Sequence, residues 1–132
     1  MQIKRFGVSL EDDLLNALDK YAERNHFPNR SQAIRHLVRK NLVEEKWNGN
    51  EDVAGVIVLV YDHHKRELQH NSTHLQHDYH DLILSVQHVH LDHDHCLETI
   101  AVKGKSSQLA ELANKLIAIK GIYHGELVMS GI

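Results

Sequence analysis

This chain has little that would staple or anchor it. One cysteine, Cys96, in 132 residues excludes an intrachain disulfide framework. No run approaches the ~20 apolar residues of a membrane-spanning helix, so no membrane partner is expected. The first residues, MQIKRFGVSLEDD, lack the apolar segment of a secretory signal, and a cytoplasmic protein is expected. Aromatics are 5% of the chain, so any core must be aliphatic. Apolar residues at 42% and charged residues at 25% are globular values and exclude wholesale disorder. What is abundant is histidine, with 13 residues.

The histidines and charges are unevenly distributed. Residues 1–47 carry a net charge of +2 and two histidines, whereas residues 48–132 carry −5 and eleven. Asn48-Gly49-Asn50 at the boundary is a turn signal. The expected organisation is a basic head over 1–47, a linker over 48–52 and an acidic, histidine-rich body over 53–132. Such asymmetry suits an anion such as nucleic acid for the head, and metal or protons for the body.

In the head, Phe6, Val8 and Leu10 alternate with Arg5, Gly7 and Ser9, the pattern of a two-faced strand over Lys4–Leu10. Ser9-Leu10-Glu11-Asp12 reads as a capping box. It opens a helix over 11–25 whose apolar stripe is Leu14, Leu15, Leu18, Tyr21 and Ala22. His26-Phe27-Pro28-Asn29 breaks the chain, and Asn29 or Ser31 caps a second helix over 30–44. The strand has no partner within the head, and the head is too small to build a core alone. Both difficulties vanish if two chains intertwine, pairing their strands antiparallel over a shared four-helix core. Arg5, Gly7 and Ser9 then line a two-stranded ribbon of the kind that enters the DNA major groove. Arg5 suits a guanine edge, Ser9 a base or phosphate, and Gly7 allows close approach. Asn29-Arg30-Ser31 at the second helix start presents backbone N–H groups to a phosphate. The segment RFGVSLEDDLLNALDKYAERNHFPNRSQAIRHLVRKNL resembles a ribbon–helix–helix DNA-binding domain, with NRSxAIR its most specific part.

The body reads as βαββαβ. VAGVIVLVY (53–61) is a buried strand, and Asp62-His63-His64-Lys65 opens a helix to about His74. LILSVQHVHL (82–91) and CLETIAVK (96–103) form a hairpin about the polar turn Asp92-His93-Asp94-His95. Ser106 or Ser107 caps a helix to Lys120, Gly121 stops it, and Ile122–Met129 is the last strand. The expected class is α+β: a βαα head, then a ferredoxin-like sandwich. This element order resembles the ACT domain.

His88 and His90 leave the same face of a strand, and Cys96 begins the next strand after a five-residue turn. Two imidazoles and one thiolate on one patch are transition-metal ligands. Three donors leave a position open, and His74, His77 and His80 are all candidates for it. Ligand type admits Zn, Cu, Ni or Co. No oxyanion hole or third orienting group accompanies Cys96, so no enzyme is expected.

The head, the body and the segments His77-Asp78-Tyr79-His80-Asp81-Leu82 and His88-Val89-His90-Leu91-Asp92-His93-Asp94-His95-Cys96 together resemble the nickel-responsive transcriptional regulator family, NikR. The resemblance implies one Ni(II) per chain, bound square-planar at a subunit interface. His88, His90 and Cys96 come from one subunit and His77 of the partner subunit completes the set. It implies a homotetramer, a dimer of dimers, that represses transcription from a palindromic operator in double-stranded DNA and controls nickel uptake. Tyr61 followed by Lys65 and Arg66 resembles the family's YxxxKR segment, whose basic pair reaches the DNA backbone. Gln32 and His36 stand where the family carries acidic residues for a second cation, so the resemblance implies a site that is either altered here or uses His36 with a softer metal. The alternatives are a histidine-rich metal store or chaperone, and the same repressor sensing Zn, Cu or Co.

Overall fold

In a computed structural model, residues 2–131 are described. The chain divides into two compact units, residues 1–41 and 42–132, with the break inside a long helix. The first unit holds α1 (Asp12–Arg24) and the start of α2 (Arg30–Asn48). Residues 2–11 form no regular element, so the strand expected over Lys4–Leu10 is not made in the single chain. The reason is elementary: a strand needs a neighbour for its N–H and C=O groups, and one chain supplies none. Ile3, Phe6, Val8 and Leu10 are left in solvent, as are Leu14, Leu37 and Val38 on the helices.

Ser9 is not the cap of α1. Glu11 occupies that position without a side-chain hydrogen bond, and Asp12 and Asp13 place carboxylates against the positive end of the helix. Asn29 does cap α2, its Oδ1 accepting the Gln32 N–H at 2.9 Å. The helix runs past Glu44 to Asn48 and absorbs the beginning of the expected linker. Trp47 explains the extension: its indole N–H donates to the Ser130 carbonyl at 2.8 Å, and its own carbonyl accepts from Ser106 Oγ at 2.6 Å. Asn50, at φ 53°, then turns the chain.

The second unit contains β1 (Asp52–Asp62), α3 (Arg66–Asp78), β2 (Ile83–His90), β3 (His95–Lys105), α4 (Ser106–Ile117) and β4 (Ile122–Ser130). A one-turn 3₁₀ helix, His80–Leu82, joins α3 to β2. The sheet is antiparallel throughout, in the order β2-β3-β1-β4. Helix α3 starts four residues later than expected, because Asp62 Oδ1 takes the His64 N–H at 2.9 Å and holds 62–65 as a turn. It also runs on to Asp78, past the expected end near His74. Neither Ser106 nor Ser107 caps α4; Asn50 Oδ1 accepts the Ser107 N–H at 3.0 Å.

One face of the sheet is buried. Val53, Ile57, Leu59 and Tyr61 of β1 and Ile100 and Val102 of β3 pack against Leu68 of α3 and Leu109, Leu112 and Leu116 of α4. The helices cover only this face. On the other, Val56 and Val128 lie opposite each other and remain 36% and 48% exposed. Edge strand β2 is exposed along nearly its whole length.

Gly55 lies against β4: a Cβ there would be 2.7 Å from the Val128 backbone carbonyl. Gly55→Ala should therefore lower stability by ~1–3 kcal/mol. A reduced midpoint in chemical denaturation checks this, and an unchanged midpoint would show that β1 and β4 separate freely.

Candidate metal centre

The β2–β3 register assembles the candidate donors. His90 pairs with Cys96 and His88 with Glu98 across the hairpin, while Cys96 pairs with Tyr61 on its other side. Directly paired residues share a face, so all five side chains lie on the helix-bearing side of the sheet. Cys96 Sγ lies 3.9 Å from His88 Nδ1. The cysteine is buried, whereas the His88 side chain is 54% exposed. The result is a soft sulfur donor at the floor and a borderline nitrogen donor at the rim, on an open edge strand. That donor set fits a borderline divalent ion such as nickel.

Beneath the donors is a buried polar network. Glu98 is 1% exposed. Tyr61 donates its hydroxyl proton to Glu98 Oε1 at 2.5 Å, and Gln76 of α3 donates to Oε2 at 2.7 Å. The Tyr61 oxygen is also 3.4 Å from His88 Nδ1, and Glu98 Oε1 is 3.6 Å away. Burial, then the Glu98 hydrogen bond, raises the Tyr61 pKa far above its ordinary value, so the hydroxyl stays a donor. A carboxylate held this way stabilises imidazole orientation and positive charge above it. The composition of the chain gave no hint of Glu98; its signal lies in the register, two residues after Cys96 on the same face.

The hairpin turn is fixed by Asp92. Its Oδ1 accepts the N–H groups of Asp94 at 2.9 Å and His95 at 2.7 Å, and the carboxylate also meets His95 Nδ1 at 3.0 Å. These bonds hold its pKa down to about 2 and raise that of His95.

The remaining expected ligands are placed differently. The His90 ring stacks on His63, 4.4 Å between centroids. His77, on the last turn of α3, stacks with His80 at 5.9 Å rather than joining Cys96. Among the described residues, the only group of three ligand atoms within 4.8 Å of one another is His64, His93 and Asp94.

The expected DNA-facing residues fall into three groups. Arg5, Gly7 and Ser9 are exposed in the irregular segment before α1. The Arg30 guanidinium is committed to Asp19, at 2.8 and 3.0 Å, which lowers the Asp19 pKa and raises that of Arg30. Arg30 therefore offers an anion its backbone rather than its side chain, beside Asn29 and Ser31. Lys65 and Arg66 lead into α3 along a surface hollow that Lys120 also lines, a neighbour that sequence reasoning missed. His36 packs near Phe27, with ring centroids 5.2 Å apart.

Residues 54–130 match the model of the NikR C-terminal nickel binding domain, and residues 4–45 match that of ribbon-helix-helix proteins of the copG family. The chain belongs to the nickel-responsive regulator family. Relatives described as nickel-responsive regulators include one from Syntrophus aciditrophicus, 48% identical over 98% of this chain and 95% of its own. Another, from Desulfovibrio desulfuricans, is 53% identical over 93% and 89%. The ACT domain of a Chlorobium tepidum GTP pyrophosphokinase superposes with a TM-score of 0.50 at 18% identity, covering 58% of this chain and 99% of that domain. An uncharacterized Thermotoga maritima protein gives 0.55 at 16% identity, covering 60% and 98%. Both likenesses concern the fold alone, and they establish the body as ACT-like. No described helix is long and apolar enough to cross a membrane.

Within this family's nickel-binding domain, Tyr61 tests the buried network. Tyr61→Phe removes the donor to Glu98 Oε1 and leaves a buried carboxylate oxygen short of a partner. A loss of ~1–3 kcal/mol in folding stability is expected. Wild-type stability in a denaturant titration would show that Glu98 does not depend on the hydroxyl.

Proposed function

We propose that this protein is a nickel-responsive DNA-binding transcriptional repressor. Ni(II), one per chain, is held by His88, His90 and Cys96 of one subunit and His77 of the partner subunit. The observation that carries this reading is the paired register of His90 with Cys96 and His88 with Glu98, which puts His88, His90 and Cys96 on one face at an exposed sheet edge. The position of His77, stacked on His80 and apart from Cys96, supports a fourth ligand donated between chains. Bound nickel would supply a coordination link between subunits; His88 and His90 would orient it and Cys96 would anchor it, with the buried Glu98 carboxyl 3.6 Å from His88 Nδ1.

The assembly is a homotetramer, a dimer of dimers. Exposed apolar residues on the head helices, and Val56 and Val128 on the uncovered sheet face, support contacts between copies. Paired N-terminal segments carry Arg5, Gly7 and Ser9 into the major groove of a palindromic operator. Backbone N–H groups at Asn29, Arg30 and Ser31 meet phosphates, as do the side chains of Lys65 and Arg66. Nickel held there would favour the arrangement that meets both half-sites only to the extent that it binds that arrangement better than others. Control of nickel uptake is the corresponding role, in the cytoplasm, and no catalytic step is proposed.

Titration of the metal-free protein with Ni(II) should produce a thiolate charge-transfer band that saturates at one metal per chain and is absent in Cys96→Ser. A band indifferent to Cys96 would overturn the ligand set.

Arg5→Ala separates the two functions. On a palindromic duplex selected from random DNA in the presence of nickel, affinity should fall by about 1–3 kcal/mol per lost guanine contact, roughly 5- to 150-fold, with the nickel band unchanged. Loss of both together would overturn the assignment of DNA and metal to separate parts of the chain.

A further inference from the structure

The end of the sheet that carries Cys96 also joins two histidine-bearing turns. The connection from β1 to α3 (62–65) and the β2–β3 turn (91–94) are linked by the His63 N–H, which donates to the Asp94 carbonyl at 3.1 Å. His64 Nε2 lies 3.2 Å from the His93 carbonyl and 3.8 Å from Asp94 Oδ1. The His64 and His93 ring centroids are 5.6 Å apart. One ligand atom from each of His64, His93 and Asp94 falls within 4.8 Å of the others, and all three residues are exposed. None belongs to the proposed nickel set.

We infer that His64, His93 and Asp94 form a second divalent transition-metal site, separate from the Cys96 centre. Two imidazoles and a carboxylate select a first-row ion such as Ni(II) or Zn(II) over Ca(II) or Mg(II), which require oxygen donors. At metal–donor distances of ~2.1 Å, tetrahedral donors stand about 3.4 Å apart. The two turns therefore close by roughly an ångström, a movement that exposed turns permit. His64 Nε2 gives up the His93 carbonyl, which keeps its shorter contact with His63 Nε2 at 2.7 Å. Asp62 and Asp92 accept backbone N–H groups within the same two turns and fix their shape. Three protein donors with water in the remaining positions bind more weakly than a closed set, so this site fills after the Cys96 centre. An ion here ties the segment leading into Lys65 and Arg66 to the hairpin carrying His90 and Cys96. The consequence for DNA rests on the reading of Lys65 and Arg66 as phosphate contacts; the metal site itself does not.

The test is equilibrium dialysis of the full chain against Ni(II) alone up to millimolar concentration, with absorbance recorded in parallel. Wild type should hold two equivalents, only the first contributing to the thiolate band. His64→Ala/His93→Ala should hold one, with the band intact, while His70→Ala/His124→Ala should still hold two. Retention of two equivalents in the first variant overturns the site, as does a wild type that stops at one. Loss of the band along with the second equivalent also overturns it, since the two sites would then be one. If no protein shows the band yet the His64/His93 variant alone loses an equivalent, the Cys96 reading fails and this site stands.

Discussion

The metal-binding half of the chain depends on one register. Pairing of β2 with β3 sets His90 opposite Cys96 and His88 opposite Glu98, and pairing of β3 with β1 sets Cys96 opposite Tyr61. Because side chains alternate, a slip of one residue in β2 would send both histidines to the far face, away from the thiol and the buried carboxylate. Two features enforce the register. Asp92 takes two backbone N–H groups and fixes the turn length, and Cys96, Glu98 and Ile100 are buried on β3 while their neighbours are not. A polar carboxylate in the floor of an aliphatic core is costly unless satisfied, and Tyr61 and Gln76 satisfy both of its oxygens. The network thus serves the fold and borders the site: Tyr61, which helps make Glu98 tolerable, also lies 3.4 Å from His88 Nδ1.

The head is governed by the opposite condition, an interaction that a single chain cannot make. Ile3, Phe6, Val8 and Leu10 precede α1 in solvent, and Leu14, Leu37 and Val38 face outward from the helices. Full burial of such a side chain contributes roughly 1.5–3 kcal/mol, so leaving seven exposed forgoes much of what a small domain needs to stay folded. Only Ala22 and Ala33 are buried in this unit among the described residues. Dimerisation would therefore complete the core and form the ribbon in one step. The residues assigned to DNA sit on the segment that needs a partner before it can be a strand. Assembly would then be a precondition for the ribbon on which the proposed DNA contacts depend.

Sequence periodicity was a good guide wherever burial decides the structure. Val53–Tyr61, Leu82–Leu91 and the Leu109-Leu112-Ala113-Leu116 stripe all appear as the elements their patterns predict. It was poorer where a specific polar contact decides. The start of α3 shifted because the Asp62 side chain captures an N–H, and the caps expected of Ser106 and Ser107 are supplied from a distance by Asn50. No local rule exposes a cap from 57 residues away. The length of α2 turned on Trp47 and its contacts with Ser106 and Ser130, which are equally non-local. The spacing of His88, His90 and Cys96 was legible because strand geometry maps sequence parity directly onto a face. The fourth donor was not, because His74, His77 and His80 are separated by helical turns whose relation to another chain no single sequence encodes.

The location of the candidate centre on an edge strand connects these points to regulation. A metal held by a central strand would report only on the fold of one chain. At the edge, the buried thiol lies 3.9 Å from the exposed His88 imidazole, and on the proposed ligand set the remaining coordination would come from another subunit. An ion held that way would acquire its full binding energy only when that subunit is correctly placed, so its affinity would be a measure of quaternary arrangement. By linkage, the same ion stabilises the arrangement that binds it best, by no more than its differential affinity. The buried Tyr61–Glu98–Gln76 network would then back one side of the coordination while the other side is left to assembly. That asymmetry is the physical basis on which a metal could select among arrangements of the DNA-binding heads rather than merely stabilise each chain.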